Sequence, residues 1–127
     1  MKKVDIKTLN DNFIGAIGKE WMLIASGNRD HFNVMTASWG CVGWLWNKPV
    51  AVIFVRPERF THDFIEDNAV VTLSFLGKDP DMRSIYNLCG SKSGRECDKV
   101  KATGLMLVDT ECGSVTFKQA RLTLECE

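Results

Sequence analysis

The chain has 127 residues, 45% of them hydrophobic, and its 16 basic and 16 acidic side chains leave no net charge. That supports one hydrophobic core and a single domain, residues 1–127, and excludes a disordered chain. The balance gives no reason to expect nucleic acid or a membrane as partner, so any anion site has to be local.

In chain order, MKKVDIKTLND has three lysines with no apolar run behind them, unlike a secretory leader. Leu9, Phe13, Ile14 and Ile17 have the spacing of a short amphipathic helix, which Gly15 and Gly18 weaken. Trp21 to Ala25 reads as a strand, and Ser26-Gly27-Asn28-Arg29-Asp30 as a hairpin turn. Asn33 to Cys41 alternates, with Val34, Thr36, Ser38 and Gly40 on one face and Met35, Ala37, Trp39 and Cys41 on the other. Trp44 and Trp46 fall in a loop. Val50 to Val55 is continuously apolar, as in a strand buried on both faces, and is far too short to span a bilayer.

Pro57 ends that strand, and Thr61 is expected to cap a short helix reaching Asn68 with Phe60, Phe64 and Ile65 on its apolar side. Ala69 to Leu76 is the next strand. Asp79-Pro80 opens a helix through Met82, Ile85, Tyr86 and Cys89, with Gly90 at its C′ position. Ser93-Gly94-Arg95-Glu96 has the form of a capping box before a helix towards Lys101. Leu105 to Asp109 and Val115 to Cys126 are the last strands, with a turn at Cys112-Gly113 between them. Six or seven strands and three or four short helices make a mainly β chain of α+β type, a barrel-like antiparallel sheet decorated by helices. Because Glu127 falls within a strand pattern, either that strand lies at a sheet edge or the natural protein continues.

The five cysteines are odd in number, scattered and without a C-x-x-C pair, which suits reduced thiols in a cytoplasmic protein. No metal site is expected, since neither His31 nor His62 has ligand spacing to a cysteine.

Three stretches carry candidate chemistry. Thr36 and Ser38 put hydroxyls on one strand face. Arg56, Arg59 and Thr61 then stand together at a strand-to-helix corner. Two cations beside a helix N-terminus repel its dipole unless an anion lies between them, so this corner reads as an anion cradle. The third stretch, Ser91 to Lys99, is open: its capping box is explanation enough for Ser93 and Glu96, while Lys92, Arg95 and Lys99 offer positive charge to a phosphate.

Taken in order, N-x-M-T-A-S-W-G, K-P-V-A-x-x-F-V-R-P-x-R-x-T, T-L-S-F and C-G-x-x-S-G-R-x-x-D-K resemble the flavin reductase-like, FMN-binding split-barrel proteins, close to the flavoredoxin branch. The resemblance covers Trp21 to Lys99. It implies a split β-barrel that forms a homodimer with FMN near the subunit interface. By position, Thr36, Ala37 and Ser38 would line the phosphate and ribityl chain, with Met35 beside them in the cofactor site and Trp39 near the ring. Arg56, Arg59 and Thr61 would serve the phosphate, and Ser93, Gly94, Asp98 and Lys99 would close the pocket. The family runs further through closing strands, so the chain is expected to lack a C-terminal closing segment.

The implied function is an oxidoreductase passing electrons from NAD(P)H or a redox-protein donor, through FMN, to an acceptor such as flavin, ferric iron or a redox protein. No G-x-G-x-x-G fingerprint identifies the donor. The alternative is a non-catalytic FMN- or anion-binding module, or a degenerate split barrel. A further class is an interaction domain built on Trp44 and Trp46.

Overall fold

The computed structural model describes residues 2–127. Its strands are β1 (Met22–Asn28), β2 (His31–Ala37), β3 (Gly40–Leu45), β4 (Lys48–Ile53), β5 (Val71–Phe75), β6 (Leu107–Asp109), β7 (Val115–Phe117) and β8 (Leu122–Cys126). The helices are α1 (Phe13–Gly15), which continues as a π turn over Ala16–Glu20, α2 (Phe60–Asp67), α3 (Pro80–Ser91) and α4 (Lys99–Thr103). All strand pairs are antiparallel. A four-stranded sheet runs in the order β2-β1-β5-β8, and β3-β4 and β6-β7 form separate two-stranded ribbons, so the sheets do not close into a continuous barrel.

Alternation along β1 and β2 divides the core in two. Leu23, Ala25 and Val34 point to one face, where they meet Ile85, Tyr86 and Cys89 of α3 together with Val115 and Phe117 of β7. Met22, Ile24 and Met35 point to the other, against Ile17, Phe75, Leu124 and the inner side of the β3-β4 ribbon. β1 lies inside the sheet with both faces covered, so it is buried at every position but the last and opens on the apolar run Met22 to Ala25. The buried Tyr86 hydroxyl donates to the Trp21 carbonyl at 2.9 Å and accepts from the Leu76 amide at 2.7 Å, and burial pushes its pKa up to about 12.

The β6-β7 ribbon lies on the sheet through hydroxyls. Thr72 Oγ1 donates to the Val115 carbonyl at 2.7 Å, and Ser74, Thr116 and Thr123 form a chain with steps of 2.8 and 2.6 Å. At the start of β8, Arg121 meets both oxygens of the buried Glu20 at 2.7 Å and Asp11 at 2.8 Å, fastening the N-terminal turns to the sheet's far edge.

Several sequence expectations are corrected. The 33–41 stretch is two strands, broken at Ser38-Trp39. The apolar run from Val50 is not buried on both faces: β4 pairs with β3 alone, so only one side of this ribbon meets the core, and Val52 and Phe54 are 39% and 61% exposed. Trp46 and Asn47 both have positive φ, 54° and 61°, forming the two-residue turn whose twist suits a hairpin. Thr61 does not cap α2, which starts one residue earlier; Thr61 is fully buried. Gly90 lies inside α3 rather than beyond it, where its lack of a side chain lets the helix pass Thr36 closely: a Cβ there would come within 3.2 Å of the Thr36 side chain. The Ser93 capping box does not form: Ser93 Oγ accepts from the Arg95 amide, and Asp98 caps α4 through the Lys101 amide at 3.2 Å. The stretch 115–126 is two strands. Among the described residues, no helix is long and apolar enough to cross a membrane.

Candidate functional site

β2 is the free edge of the four-stranded sheet, and an edge strand presents backbone groups that need partners. Here one partner is a lysine. Lys99, the first residue of α4 and only 5% exposed, donates from Nζ to the Val34 carbonyl at 2.6 Å and to the Cys89 carbonyl at the end of α3 at 3.0 Å. An ammonium has three donors, so one remains after both carbonyls are satisfied. Burial pushes the Lys99 pKa down to about 8, and the nearby Arg59 guanidinium pushes the same way. The Cys89 thiol is pushed up to about 11, again by burial.

Along this edge lie two adjoining hollows. The first, about 220 Å³, lies between Asn33 of β2, the Glu58-Arg59-Phe60 corner, the end of α3 and the Lys92-Ser93-Gly94 loop, with Lys99 in its lining. The second, about 440 Å³, lies beyond Asn33, Gly94 and Lys99, which line both, and is bounded by Asp30, His31, Cys97 and Asp98. Asn33 is buried and donates from Nδ2 to Thr61 Oγ1 at 2.8 Å, which joins β2 to α2. Gly94 packs so close that a Cβ there would strike Asn33 Oδ1 and approach the Phe60 ring to 3.0 Å. A side chain at Gly94 would therefore displace the wall between the hollows.

The electrostatics of the two differ. Arg59, Lys92 and Lys99 line the first hollow against one carboxylate, Glu58, and none of the three takes part in any ion pair among the described residues. Arg95, by contrast, is held by Asp63 at 2.8 Å and lies over the Phe60 ring at 4.5 Å. The second hollow carries Asp30, Glu96 and Asp98 against Arg95 and Lys99. The first is thus suited to an anion; the second is not.

Of the residues singled out from sequence, the structure brings Arg59, Ser93, Gly94 and Lys99 into the first hollow, and Asp98 into the second beside Lys99. Thr61 lies behind the wall, bonded to Asn33. Thr36 abuts Gly90 and donates to the Tyr86 carbonyl at 2.6 Å, so its hydroxyl ties β2 to α3. The side chains of Met35 and Ala37 pack in the core on the opposite face of β2 from Val34. Ser38 is half-buried past the end of β2, Trp39 is 67% exposed and Arg56 is exposed; none of the three lines either hollow. Sequence reasoning joined the Thr36–Ser38 strand face, the Arg56–Thr61 corner and the Ser93–Lys99 stretch in one cradle, whereas the hollows run along the edge of β2 and leave Thr36, Ser38 and Arg56 out. It passed over Asn33, Phe60 and Gly90 as lining residues. Asn33 had a signal, a polar residue between Phe32 and Val34 at a position whose alternation partner Met35 is core.

A family model described as flavin reductase like domain matches residues 14–127. Among solved structures, flavoredoxin of Desulfovibrio vulgaris (Miyazaki F) superposes with a TM-score of 0.72 at 21% identity, covering 83% of this chain and 57% of its own. An FMN-binding protein from Thermus thermophilus with bound 1-cyclohex-2-enone gives 0.72 at 21%, covering 98% and 67%. Flavoredoxin from Methanosarcina acetivorans gives 0.72 at 23%, covering 99% and 63%. The chain thus spans 57–67% of the length of these three proteins. These likenesses establish a split-barrel fold, the term used of a related flavin reductase structure from Shewanella frigidimarina. No curated protein matches the chain in sequence.

Proposed function

The chain belongs to the flavin reductase-like domain family, and from that membership we propose that it binds FMN along the β2 edge and serves as an oxidoreductase. The observation that carries this reading is the first hollow, where three cations without carboxylate partners face a space kept open by Gly94. Arg59 and Lys92 offer guanidinium and ammonium donors to a phosphate, the third N–H of Lys99 adds a buried one, and Ser93 adds a hydroxyl. The adjoining 440 Å³ hollow falls within the roughly 300–1,000 Å³ usual for small-molecule sites and gives room for a planar ring. Bound flavin would supply the electron transfer between a reduced donor, NAD(P)H or a redox protein, and an acceptor such as free flavin, ferric iron or another redox protein. Arg59, Lys92, Ser93 and Lys99 would hold and orient it; none is assigned as acid, base or nucleophile.

A second copy of the chain is the proposed partner, seated on the outer face of the β3-β4 ribbon. Trp39 and Phe54 flank that face and Trp44 and Trp46 stand at the ribbon's tip, all four 60–80% exposed, an apolar display that a lone protein rarely carries. Five free thiols support a reducing, cytoplasmic setting.

FMN titration followed by flavin fluorescence tests the binding claim. Arg59→Ala is expected to cost about 1.5–3 kcal/mol, a ten- to hundredfold rise in Kd, with the fold intact. An unchanged Kd removes Arg59 from the site, and absence of binding by the unaltered chain ends the flavin reading. Bleaching of the bound flavin by NADH separates an oxidoreductase from a non-catalytic binding module.

A further inference from the structure

We propose that Lys99 is a proton-operated latch: protonated, it bridges the β2 edge to an anion in the first hollow, and deprotonated, it keeps the edge closed but lets the anion go. The proposal rests on the flavin-binding reading above and adds a regulation of that site. Its basis is a donor count. A neutral amine has two N–H groups, and the two carbonyls of Val34 and Cys89 take both. The fold around Lys99 is therefore satisfied in either protonation state. Only the third proton changes, and with it the charge and the donor available to the hollow. In the neutral form the nitrogen lone pair takes that proton's place, which repels an anion.

The neighbours set the direction. Around Lys99 stand Arg59 and Glu58 from the corner before α2, Cys89 from α3, Lys92, Arg95, Glu96, Cys97 and Asp98 from the loop before α4, Asp30 from the β1-β2 turn and His31 at the start of β2. Burial and Arg59 disfavour the charged form in the empty site, which places the change near pH 8. An entering phosphate reverses that balance by favouring the ammonium, so binding takes up one proton from solvent. The phosphate itself stays dianionic above about pH 7, because its second ionisation lies near 6.

Titrating FMN against the unaltered chain at pH 7, 8 and 9 reads the latch directly. With the free-site change near pH 8, affinity should fall about tenfold between pH 7 and pH 9. Lys99→Arg, charged throughout this range, should bind with a flat profile, whereas Cys97→Ser, which removes the nearest free thiol of the loop, should keep the tenfold slope. A flat profile in the unaltered chain overturns the latch and leaves the flavin reading standing; so does a slope that survives in Lys99→Arg or disappears in Cys97→Ser. No FMN binding at any pH overturns both. NMR titration of the Lys99 Nζ supplies a readout independent of the variants' folding. Its midpoint should rise from near 8 to about 10 or higher on adding FMN, and an unmoved midpoint also overturns the proposal.

Discussion

Replacing Gly94 by alanine tests the site's geometry at its tightest point. The added Cβ would strike Asn33 Oδ1, with Asn33 Cγ at 2.8 Å and the Phe60 ring at 3.0 Å. Asn33 is 7% exposed and its amide is bonded to Thr61 Oγ1, itself fully buried, so it has nowhere to swing without breaking that bond. The lost hydrogen bond costs about 1 kcal/mol, and leaving the buried Thr61 hydroxyl unpaired costs about 1–3 kcal/mol more. Gly94→Ala is thus expected to lower stability by about 2–4 kcal/mol in urea unfolding and to raise the Kd for FMN at least tenfold, as the wall moves into the hollow. Asn33→Ala already loses the bond, so adding Gly94→Ala to it should cost less than about 1 kcal/mol. A coupling energy near zero, with the two costs simply adding, would falsify the clash as the reason for glycine here.

Stability should also depend on pH through two groups of opposite sign. Lys99 changes from an ordinary 10.5 to about 8 on folding, so the unfolded chain holds more protons between those values and stability rises with pH across pH 8 to 10.5. Cys89 changes from 9.0 to about 11, so the folded chain holds the extra proton and stability falls from pH 9 to 11. In urea midpoints measured from pH 8 to 10, Lys99→Met should lose the rise and Cys89→Ala should steepen it; parallel profiles would contradict both assignments. Tyr86→Phe strands the buried Leu76 amide and the Trp21 carbonyl and should cost about 1–3 kcal/mol, read as a lower thermal midpoint; a neutral change would mean the hydroxyl is dispensable. Phe54→Asp should leave the monomer folded, since the ring is 61% exposed, yet abolish self-association in sedimentation. Each copy would lose burial worth about 3 kcal/mol, and an unaltered chain that sediments as a monomer refutes the ribbon face as an interface.

The sequence announced the antiparallel, mainly β character and most element positions, because alternation in Asn33 to Ala37 and helical spacing from Met82 to Cys89 are local signals. It misjudged the strand through Val52 and Phe54, because an apolar run looks the same whether its outer face meets a core or nothing in its own chain. The charge of the first hollow was legible: Arg59 and Lys99 lie 40 positions apart and still line it. Its shape was not. Which face of β2 a residue takes follows from parity, but that the hollow runs along the strand's edge depends on β2 being outermost in the sheet, a fact of topology. Thr36 and Thr61 show the cost of reading type without partner, since each hydroxyl is engaged inside the protein, with Tyr86 and Asn33 respectively.

The Ser74-Thr116-Thr123 chain gives the β6-β7 ribbon a kind of attachment that grease does not provide. Apolar packing constrains an alignment through shape alone, whereas a row of oriented hydroxyls adds directional bonds that a shift along the strand would break. A displacement of β5 is therefore carried into the ribbon rather than absorbed between the layers. The seam thus fixes how the ribbon sits on β5 and β8, at the margin of the sheet opposite Lys99 and Asn33.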